Sequence, residues 1–384
     1  MTSTTPSHQL IVVGNGFDLA CSLKSLYADF FGDRINKAKD VDARTEAEWK
    51  RIVDDEKLTA WDFMLAFEEG PDWCNIEKAI GGWVLQQKDK TAGKPLVERL
   101  LDSLKRLPFS DDAMNMTGDY ASAKTDRAEW SLLNTSRYIW HKAGEEAQGM
   151  DKSQLLGFLR LELGIVEDLF KAYLDGAANS NSDYCGNANT LMTQLITGQR
   201  LGGISGTKDV SVISFNYTRP FRAPGYVLTE DDIINIHGNV DGEIIFGIDG
   251  KECMEDLDAL PFTKTYRIAS MGVGMPRQLY VTAIGVDGEH RTSSIKFFGH
   301  SLGEADYSYF QAIFDGVDLY GGSTKLIFYY RPWPGKNEEE LRSKMVMDVS
   351  KLLTTYGKTL DNKDHGKNLM HKLLLEGRLE VRCI

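Results

Sequence analysis

The sequence predicts an α/β protein, with a mostly parallel β-sheet interrupted by a large helical insertion. Three observations predict this fold class. The apolar run Leu10–Val13 is followed by a glycine turn and then by apolar residues at helical spacing. Helical spacing dominates again from about residue 61 to residue 201, and strand-like apolar runs return from residue 210. Strands that alternate with helices favour a parallel sheet, and a long helical stretch between strands indicates an insertion.

The first element lies in the stretch LIVVGNGFDLACSLKSLYADFF, residues 10–31. Leu10–Val13 has the apolar, partly β-branched character of a strand that is covered on both faces. Gly14 and Gly16 have no Cβ, so the backbone can turn sharply and approach another group closely. The apolar spacing over residues 17–31 predicts a helix. Free N–H groups at such a turn can bind a phosphate, but a plain turn is the alternative, because Leu19 replaces the third glycine of a dinucleotide fingerprint.

The middle of the chain is predicted to be a bundle of helices. The segments with helical spacing are WDFMLAFEE, IEKAIGGWVLQQ, PLVERLLDSLKRL, RAEWSLLNTSRYIWHKAGEEAQ and SQLLGFLRLELGIVEDLFKAYL. The stretch GAANSNSDYCGNAN, residues 176–189, is rich in small polar residues and is predicted to be a surface loop. The sequence therefore predicts two domains. Residues 1–60 and 202–384 form the α/β domain, and residues 61–201 form the helical insertion.

Short apolar runs after the helical middle predict the remaining strands. They are VSVISF (210–215), DIINI (232–236), EIIFGI (243–248), IKFFG (295–299) and KLIFYY (325–330). Helices are predicted after Ala305, from Glu338 to Tyr356 and from Lys367 to Leu375.

Polar residues and glycines follow several of these strands directly. They are Asn216 after residues 210–215, His237 and Gly238 after 232–236, and Gly299, His300 and Ser301 at the end of 295–299. Because the carboxyl ends of parallel strands meet at one edge of a sheet, these residues are expected to line a ligand site. Each has a structural alternative. Asn216 can cap a turn, His237 can be a hydrogen-bonded core histidine, and Ser301 can cap the following helix.

Composition narrows the classes of function. The net charge is −12 and the Lys and Arg residues are scattered, so nucleic-acid binding is not favoured. Five widely spaced cysteines indicate reduced thiols and argue against a paired-cysteine zinc ribbon. The N-terminal residues lack a secretory pattern and no apolar run is long enough to span a membrane. A cytoplasmic protein without a membrane partner is therefore expected.

Five motifs together resemble a known family. IVVGNGFDLA, SFNYT, INIHG, FTKT and FFGHSLGEADYSYF occur in this order between residues 11 and 310. In order and spacing they resemble the AbiH family, which is named for abortive infection against bacteriophage. The resemblance implies an intracellular anti-phage effector, with a phage-derived trigger and a second copy of the chain as candidate partners.

More distantly, the same motif order is similar to that of sirtuins and of sirtuin-like NAD-hydrolysing defence proteins. This similarity implies a Rossmann-like, sirtuin-like nucleotide-binding domain. It places Asn216 beside the nicotinamide ribose and the attacking water, and it makes His237 the catalytic base. The implied NAD-binding residues are Gly14, Asn15, Gly16, Phe17, Asp18, Gly238, Gly299, His300 and Ser301. The sirtuin zinc module is missing, so protein deacetylation is not expected.

The chemistry implied by the resemblance is that of an NAD hydrolase of the glycosidase type, with NAD as substrate or ligand. Loss of nicotinamide leaves an oxocarbenium-like ribose, which requires fixed dipoles, a placed water and a proton acceptor near neutral pH. No metal is expected. Two alternatives stay open. One is a nucleotide-binding sensor without turnover, and the other is a nuclease in which Asp18, Asp306 and Glu304 gather around Mg²⁺.

Overall fold

A computed structural model gives the fold of the chain. It describes residues 8–40, 45–66, 75–85, 94–106, 127–198, 210–221, 225–229, 232–250, 253, 256–270, 292–333, 335–362, 364 and 366–384. By their contacts, these residues divide into two compact units. Unit 1 holds the described residues of Met1–Ser25, Leu174–Gly242 and Val273–Ile384. Unit 2 holds those of Leu26–Tyr173 and Glu243–Gly272. The predicted division into an α/β domain (residues 1–60 and 202–384) and a helical insertion (residues 61–201) is not tested by these units and stays a prediction.

Unit 1 is built on a parallel sheet. Its strands are β1 (His8–Val13), β2 (Val210–Ser214), β3 (Ile233–Asn235), β4 (Thr292–Phe298), β5 (Lys325–Tyr330) and β6 (Leu379–Cys383). They lie in the order β3-β2-β1-β4-β5-β6, and every neighbouring pair is parallel. Every residue of β1 is buried, as expected for a strand between two layers. The predicted α/β class with a parallel sheet is confirmed.

Helices make up most of the rest of the described chain. In chain order they are α1 (Gly16–Ala20), α2 (Tyr27–Asp40), α3 (Glu46–Asp55), α4 (Ala60–Leu65), α5 (Ile76–Val84), α6 (Leu96–Arg106), α7 (Arg127–Ala143), α8 (Glu146–Gly149), α9 (Lys152–Ser180), α10 (Tyr184–Thr197), α11 (Lys264–Ser270), α12 (Tyr307–Gly316), α13 (Glu338–Gly357) and α14 (Leu369–Leu375). Short 3₁₀ helices occur at Leu260–Phe262 and Glu304–Asp306. Within the described residues, no helix has the length and apolar character needed to cross a membrane.

Two apolar cores cover the two faces of the sheet in unit 1. The first, the α12-side core, joins the sheet to α12, α13 and α14. The second, the α10-side core, joins it to α1 and α10. Successive side chains of a strand point to opposite faces. Leu10 and Val12 accordingly enter the α12-side core, and Ile11 and Val13 enter the α10-side core. Burial of each such side chain stabilises the fold by about 1.5–3 kcal/mol.

Unit 2 is mostly helical, and several of its buried charged side chains form ion pairs. Arg34 on α2 donates to both carboxylate oxygens of Asp62 on α4, at 2.8 and 2.6 Å. Glu167 on α9 and Arg267 on α11 form a second buried ion pair. Buried charges require such partners, because the loss of hydration is otherwise uncompensated. These pairs join helices of unit 2 that are far apart in the chain.

The prediction of one continuous helix over residues 17–31 is wrong, because the segment forms two helices with a break between them. α1 ends at Ala20, residues 21–26 are not helical, and α2 begins at Tyr27. Ser22 has a φ of +65°, a left-handed conformation that a helix cannot contain. Leu23 N donates to Asp18 O at 3.0 Å and so satisfies the end of α1. Apolar spacing continues across the break, which is why the sequence pattern did not reveal it.

Two other element predictions are wrong. The loop predicted at 176–189 is mostly helix, because α9 continues to Ser180 and α10 begins at Tyr184. The strand predicted at 243–248 lies in unit 2, outside the sheet, with an isolated bridge from Ile248 to Thr263. β6 was not predicted at all, since its charged residues Glu380 and Arg382 interrupt the apolar run. The remaining predicted strands and the three helices predicted after residue 305 are confirmed.

Candidate functional site

The turns that follow β1 and β4 pack directly against each other, in a contact that we call the glycine junction. Gly14 N donates to Phe298 O at 3.1 Å, and Gly16 N donates to Gly299 O at 2.7 Å. A Cβ on Gly14 would lie 2.7 Å from His300 Cα, and one on Gly16 would lie 2.6 Å from Gly299 Cα. Side-chain carbons do not approach a backbone so closely. The contact between the two turns therefore requires glycine at both positions.

The other residues of the first turn are held by internal hydrogen bonds. Phe17 N donates to Gly14 O at 2.8 Å. Ser25 Oγ donates to Asn15 Oδ1 at 2.5 Å, and Asn15 Nδ2 donates to Ser25 O at 3.2 Å. The N–H groups of Gly14, Gly16 and Phe17 thus already have carbonyl acceptors. Their role in NAD binding, like that of Asn15, stays a prediction.

Asp18, Tyr184, Asn216 and Thr218 form a buried hydrogen-bonded cluster, the Asp18 group. Tyr184 Oη donates to Asp18 Oδ1 at 2.7 Å, and Thr218 Oγ1 donates to Asp18 Oδ2 at 2.8 Å. The Asn216 side chain also hydrogen-bonds to this carboxylate. Burial raises the pKa of Asp18 to about 6, although these hydrogen bonds oppose the rise. The group ties the turns after β1 and β2 to α10.

Asn216 also borders a small cavity. Its Oδ1 atom is buried and has no hydrogen-bond partner within the described part of the chain. The cavity has a volume of about 20 Å³, which is room for about one water molecule, and Asp18, Thr218 and Asn235 border it too. Asn235 Nδ2 donates to the carbonyl oxygens of Asn216 and Thr218, at 2.7 and 3.1 Å. β3 thereby fixes the turn that presents Asn216 to the cavity.

His237, His300 and Asp306 form a second buried polar cluster, the His237 group. Asp306 Oδ1 lies 3.6 Å from His237 Nε2, and Asp306 Oδ2 lies 3.3 Å from His300 Nε2. Only 3% and 4% of the two histidine side chains is exposed, against 15% of the Asp306 side chain. The rings of Phe215 and Tyr309 pack edge-on against His237, each with centroids 5.5 Å apart. Both imidazoles are therefore fixed near the carboxyl ends of β3 and β4.

Gly238 and Ser301, which were predicted to contact NAD, lie in the turns after β3 and β4. Gly238 has a φ of +81°, and its N–H donates to Asn235 O at 3.1 Å. The turn geometry by itself explains a glycine at this position. Ser301 is exposed. The residue at the N-cap of α12 is Asp306, so the structural alternative for Ser301 as the cap of that helix is wrong.

A larger cavity of about 640 Å³ lies beside the glycine junction. Gly16 and Gly299 border it on one side, and Tyr330, Arg331 and Trp333 border it after the end of β5. The lining residues from α13 are Leu341, Lys344, Met345 and Asp348. Small-molecule sites occupy about 300–1,000 Å³ and combine an apolar lining with a few polar groups. Both the size and the composition of this cavity fit that description.

The two polar groups border different cores of unit 1. Phe215 contacts both histidine rings and belongs to the α12-side core. Tyr184 donates to Asp18 and belongs to the α10-side core. The predicted catalytic residues Asn216 and His237 therefore fall into different groups. Their joint action on one substrate stays a prediction.

Sequence reasoning missed three contributors to these groups. Tyr184 lies in the segment that was predicted as a loop, and no sequence signal linked it to Asp18. Asn235 was taken only as part of a strand. Asp306 was considered only as a metal ligand, although its place at the start of a helix after His300 could have suggested that the two residues meet.

The ligand set predicted for a metal-dependent nuclease is divided in the structure. Asp18 belongs to the Asp18 group and Asp306 to the His237 group. The side chain of Glu304 lies outside the described residues. In the part of the chain that the structure describes, no group of three or more His, Cys, Asp or Glu side chains could hold a metal ion.

Comparison with known proteins identifies a family for this chain. Residues 10–329 match the family model described as bacteriophage abortive infection AbiH. The comparisons with curated proteins and with solved structures gave no significant match. Because the family match covers well over half of the 384 residues, the chain belongs to the AbiH family and has a role in abortive infection of bacteriophage.

Proposed function

We propose that this AbiH-family protein binds NAD or a related nucleotide at the carboxyl edge of its sheet and hydrolyses the nicotinamide glycosidic bond. The observation that carries the proposal is the cavity of about 640 Å³ beside Gly16 and Gly299. It adjoins the turns after β1 and β4, where the strand order reverses. In open parallel sheets, ligands bind outside the carboxyl ends of the strands at such a reversal. The order β3-β2-β1-β4-β5-β6 is also that of dinucleotide-binding sheets.

The chemistry of the cavity suits a nucleotide. Trp333 has 54% of its surface exposed, so its ring is open to stacking by a planar base, and Tyr330 supplies a second aromatic wall. Stacking of a base on an aromatic side chain contributes about 1–3 kcal/mol. Arg331 brings a guanidinium to the same cavity, and a guanidinium can bind phosphate oxygens in pairs. An aromatic pocket with a cation favours an aromatic, anionic ligand over a neutral aliphatic one.

The hydrolytic step in this proposal uses the two polar groups. Cleavage of the bond to nicotinamide develops positive charge on the ribose, and a water must attack the anomeric carbon while losing a proton. The unpaired Oδ1 of Asn216 can accept a hydrogen bond from that water. His237 takes the proton, because an imidazole has an unperturbed pKa of about 6.5 and can act as a base at neutral pH.

Nucleotide binding without turnover is the second candidate function. The burial of His237 favours it, since only 2% of the residue is exposed and a base must reach its substrate. On this hypothesis the protein is a sensor that passes a nucleotide signal to a partner. The two candidates predict the same binding and different chemistry, so a single set of measurements separates them.

The test uses the purified protein with NAD and with ADP-ribose. Calorimetric titration measures binding, and chromatography measures free nicotinamide with and without EDTA. We expect both ligands to bind and nicotinamide to be released equally in the two conditions. Binding without release would favour the sensor. Release that EDTA abolishes would indicate a metal-dependent reaction, and the absence of binding for both ligands would overturn the proposal.

A pair of variants locates the binding site. Trp333→Ala removes the exposed aromatic wall of the cavity and should weaken binding by about tenfold, within the range of base stacking. Tyr266→Ala is the matched control, because Tyr266 is an exposed aromatic residue of unit 2 with 48% of its surface accessible. Equal affinities of the two variants would place the ligand elsewhere.

A further inference from the structure

We propose that the small cavity beside Asn216 binds one water molecule through Asn216 Oδ1, and that Asp18 is the positioning residue that directs this oxygen into the cavity. The inference deepens the proposed function, and it rests on that function only in making this water the one that attacks the ribose. The side chains concerned all lie in unit 1. Asp18 belongs to α1, and Asn216 lies in the turn after β2.

The side-chain amide of Asn216 has one satisfied end and one unsatisfied end. Only 5% of the residue is exposed, and its side chain hydrogen-bonds to the Asp18 carboxylate. An ionised carboxylate accepts hydrogen bonds and donates none, so the NH₂ end of the amide faces Asp18. Oδ1 is then the end directed away from Asp18, and it has no hydrogen-bond partner among the described residues. Because buried acceptors in proteins are normally paired with protein or with ordered water, this atom points to a bound donor.

The cavity has the size and the lining that a single water molecule requires. Its volume is about 20 Å³, whereas one water needs about 10–15 Å³ of such space and a few polar partners. Asp18, Thr218 and Asn235 border the cavity beside Asn216, so polar groups surround the site. The volume is too small for a nucleotide or another organic ligand. Water also donates hydrogen bonds, as the acceptor Oδ1 requires.

Asp18 can fix the amide because its own carboxylate is held from two sides. Tyr184 Oη on α10 donates to Oδ1 at 2.7 Å, and Thr218 Oγ1 in the turn after β2 donates to Oδ2 at 2.8 Å. The carboxylate therefore has a defined position relative to the turn that carries Asn216. An asparagine in place of Asp18 both donates and accepts, so it would no longer select one orientation of the Asn216 amide.

Protonation of Asp18 should remove the selection as well. A neutral carboxyl group can donate its proton, so it can pair with the amide oxygen and turn that oxygen away from the cavity. Burial raises the pKa of Asp18 to about 6, and it also raises the pKa of Tyr184 and of Cys21, so both neighbours stay neutral at this pH. Arg219, which also borders the cavity, donates to Asp241 at 3.0 Å. The orientation of the amide should therefore follow the ionisation of Asp18.

High-resolution crystal structures of the full chain test the inference directly. In the wild type we expect a water molecule within hydrogen-bond distance of Asn216 Oδ1 at about pH 8, and its occupancy should fall at about pH 5, below the Asp18 pKa of about 6. Asp18→Asn should lower the occupancy at both pH values. Asp361→Asn is the matched control, because it makes the same change at an exposed aspartate of unit 1 and should leave the water in place.

Two results in the crystals would overturn the inference. One is the absence of a water at Asn216 Oδ1 in the wild type at about pH 8. The other is a fully occupied water in folded Asp18→Asn, or in the wild type at both pH values. The wild-type structures decide the matter even if Asp18→Asn does not fold.

Turnover gives a second readout, which separates positioning of the water from binding of the nucleotide. Asp18→Asn should lower kcat for nicotinamide release by about tenfold or more with little change in KM, because the water loses its orientation and the nucleotide keeps its contacts. A rise in KM with unchanged kcat would overturn the positioning role. If the wild-type protein releases no nicotinamide, the proposed hydrolysis fails, but the crystal structures still decide the water site and the role of Asp18.

Discussion

The Asp18 group and the His237 group lie at the same edge of one sheet, are similarly buried, and differ in their hydrogen bonds. In the Asp18 group, both carboxylate oxygens accept short hydroxyl hydrogen bonds, at 2.7 and 2.8 Å. In the His237 group, the contacts to Asp306 are longer, at 3.3 and 3.6 Å. Short, complete hydrogen bonds stabilise one arrangement, whereas longer contacts between titratable groups can tighten when a substrate or a proton arrives. The two groups are therefore alike in burial and differ in the length of their hydrogen-bonding contacts.

The glycine junction connects the two groups. Asp18 follows the turn after β1, and His300 follows the turn after β4, directly after Gly299. A change at the junction should disturb both groups, and a change within one group should leave the other intact. The following variants test this separation.

The largest expected effect is on catalysis, at His237. His237→Gln keeps an amide near Asp306 and much of the side-chain volume but removes the base. We expect nicotinamide release to fall by about 10²- to 10⁴-fold, the usual contribution of a positioned general base, with Tm and NAD affinity close to the wild-type values. His371→Ala, at an exposed histidine of α14, should retain the wild-type turnover, and protection of cells against phage should follow the same order. Wild-type turnover in His237→Gln would remove His237 as the base.

The next effect is on stability, at the glycine junction. A Cβ on Gly299 would lie 2.6 Å from Gly16 C, and φ is +72°. We expect Gly299→Ala to lower the free energy of unfolding by about 3–5 kcal/mol, because backbone overlap adds to the unfavourable φ. Gly335→Ala is the matched control, since φ is +85° there and no atom lies within 4 Å of the added Cβ. Gly335→Ala should lower the free energy of unfolding, measured in urea, by about 1 kcal/mol. A similar cost at both positions would show that the two turns are not in close contact.

The pH dependence of stability is the third test. The pKa of Asp18 is about 6 in the folded chain, against 3.8 for the free side chain. The folded state therefore binds this proton more tightly than the unfolded state does. The contribution of Asp18 to stability is full below about pH 4 and is lost as pH rises through about 6, a change of about 3 kcal/mol. Urea unfolding of the wild type and Asp18→Asn between pH 4 and 7 measures it. The stability of wild type relative to the variant should decline over this range, and a constant difference would contradict the pKa.

The smallest effect is expected at Asn235, which supports the turn of the Asp18 group. Asn235→Ala removes the donors to the carbonyl oxygens of Asn216 and Thr218. We expect a loss of about 1–2 kcal/mol in the free energy of unfolding. Asn187→Ala, at an exposed asparagine of α10 in the same unit, should change stability by less than about 0.5 kcal/mol. The NMR signals of the His237 ring should match those of the wild type in both proteins, and a change in Asn235→Ala alone would show that the two groups are coupled.

Local patterns predicted much of the fold. The apolar runs at residues 10–13, 210–215 and 325–330 are strands because each segment is apolar enough to be buried between two helical layers. The segment 243–248 has the same local character and is not part of the sheet. Sheet membership depends on which partner strand is available, and no short window of sequence contains that information. The break between α1 and α2 was missed for the same reason, since apolar spacing does not reveal a single residue such as Ser22 with a positive φ.

The sequence by itself determined the α/β class, the family, and the presence of polar residues at the ends of strands. Those properties are local or depend only on the order of motifs along the chain. The tertiary structure decided which of these residues meet. It paired Asp18 with Thr218, 200 positions away, and His237 with Asp306, and it explained Gly16 by its contact with Gly299. Such contacts arise from the strand order and from the packing of two cores, which bring distant segments together only after the sheet has formed.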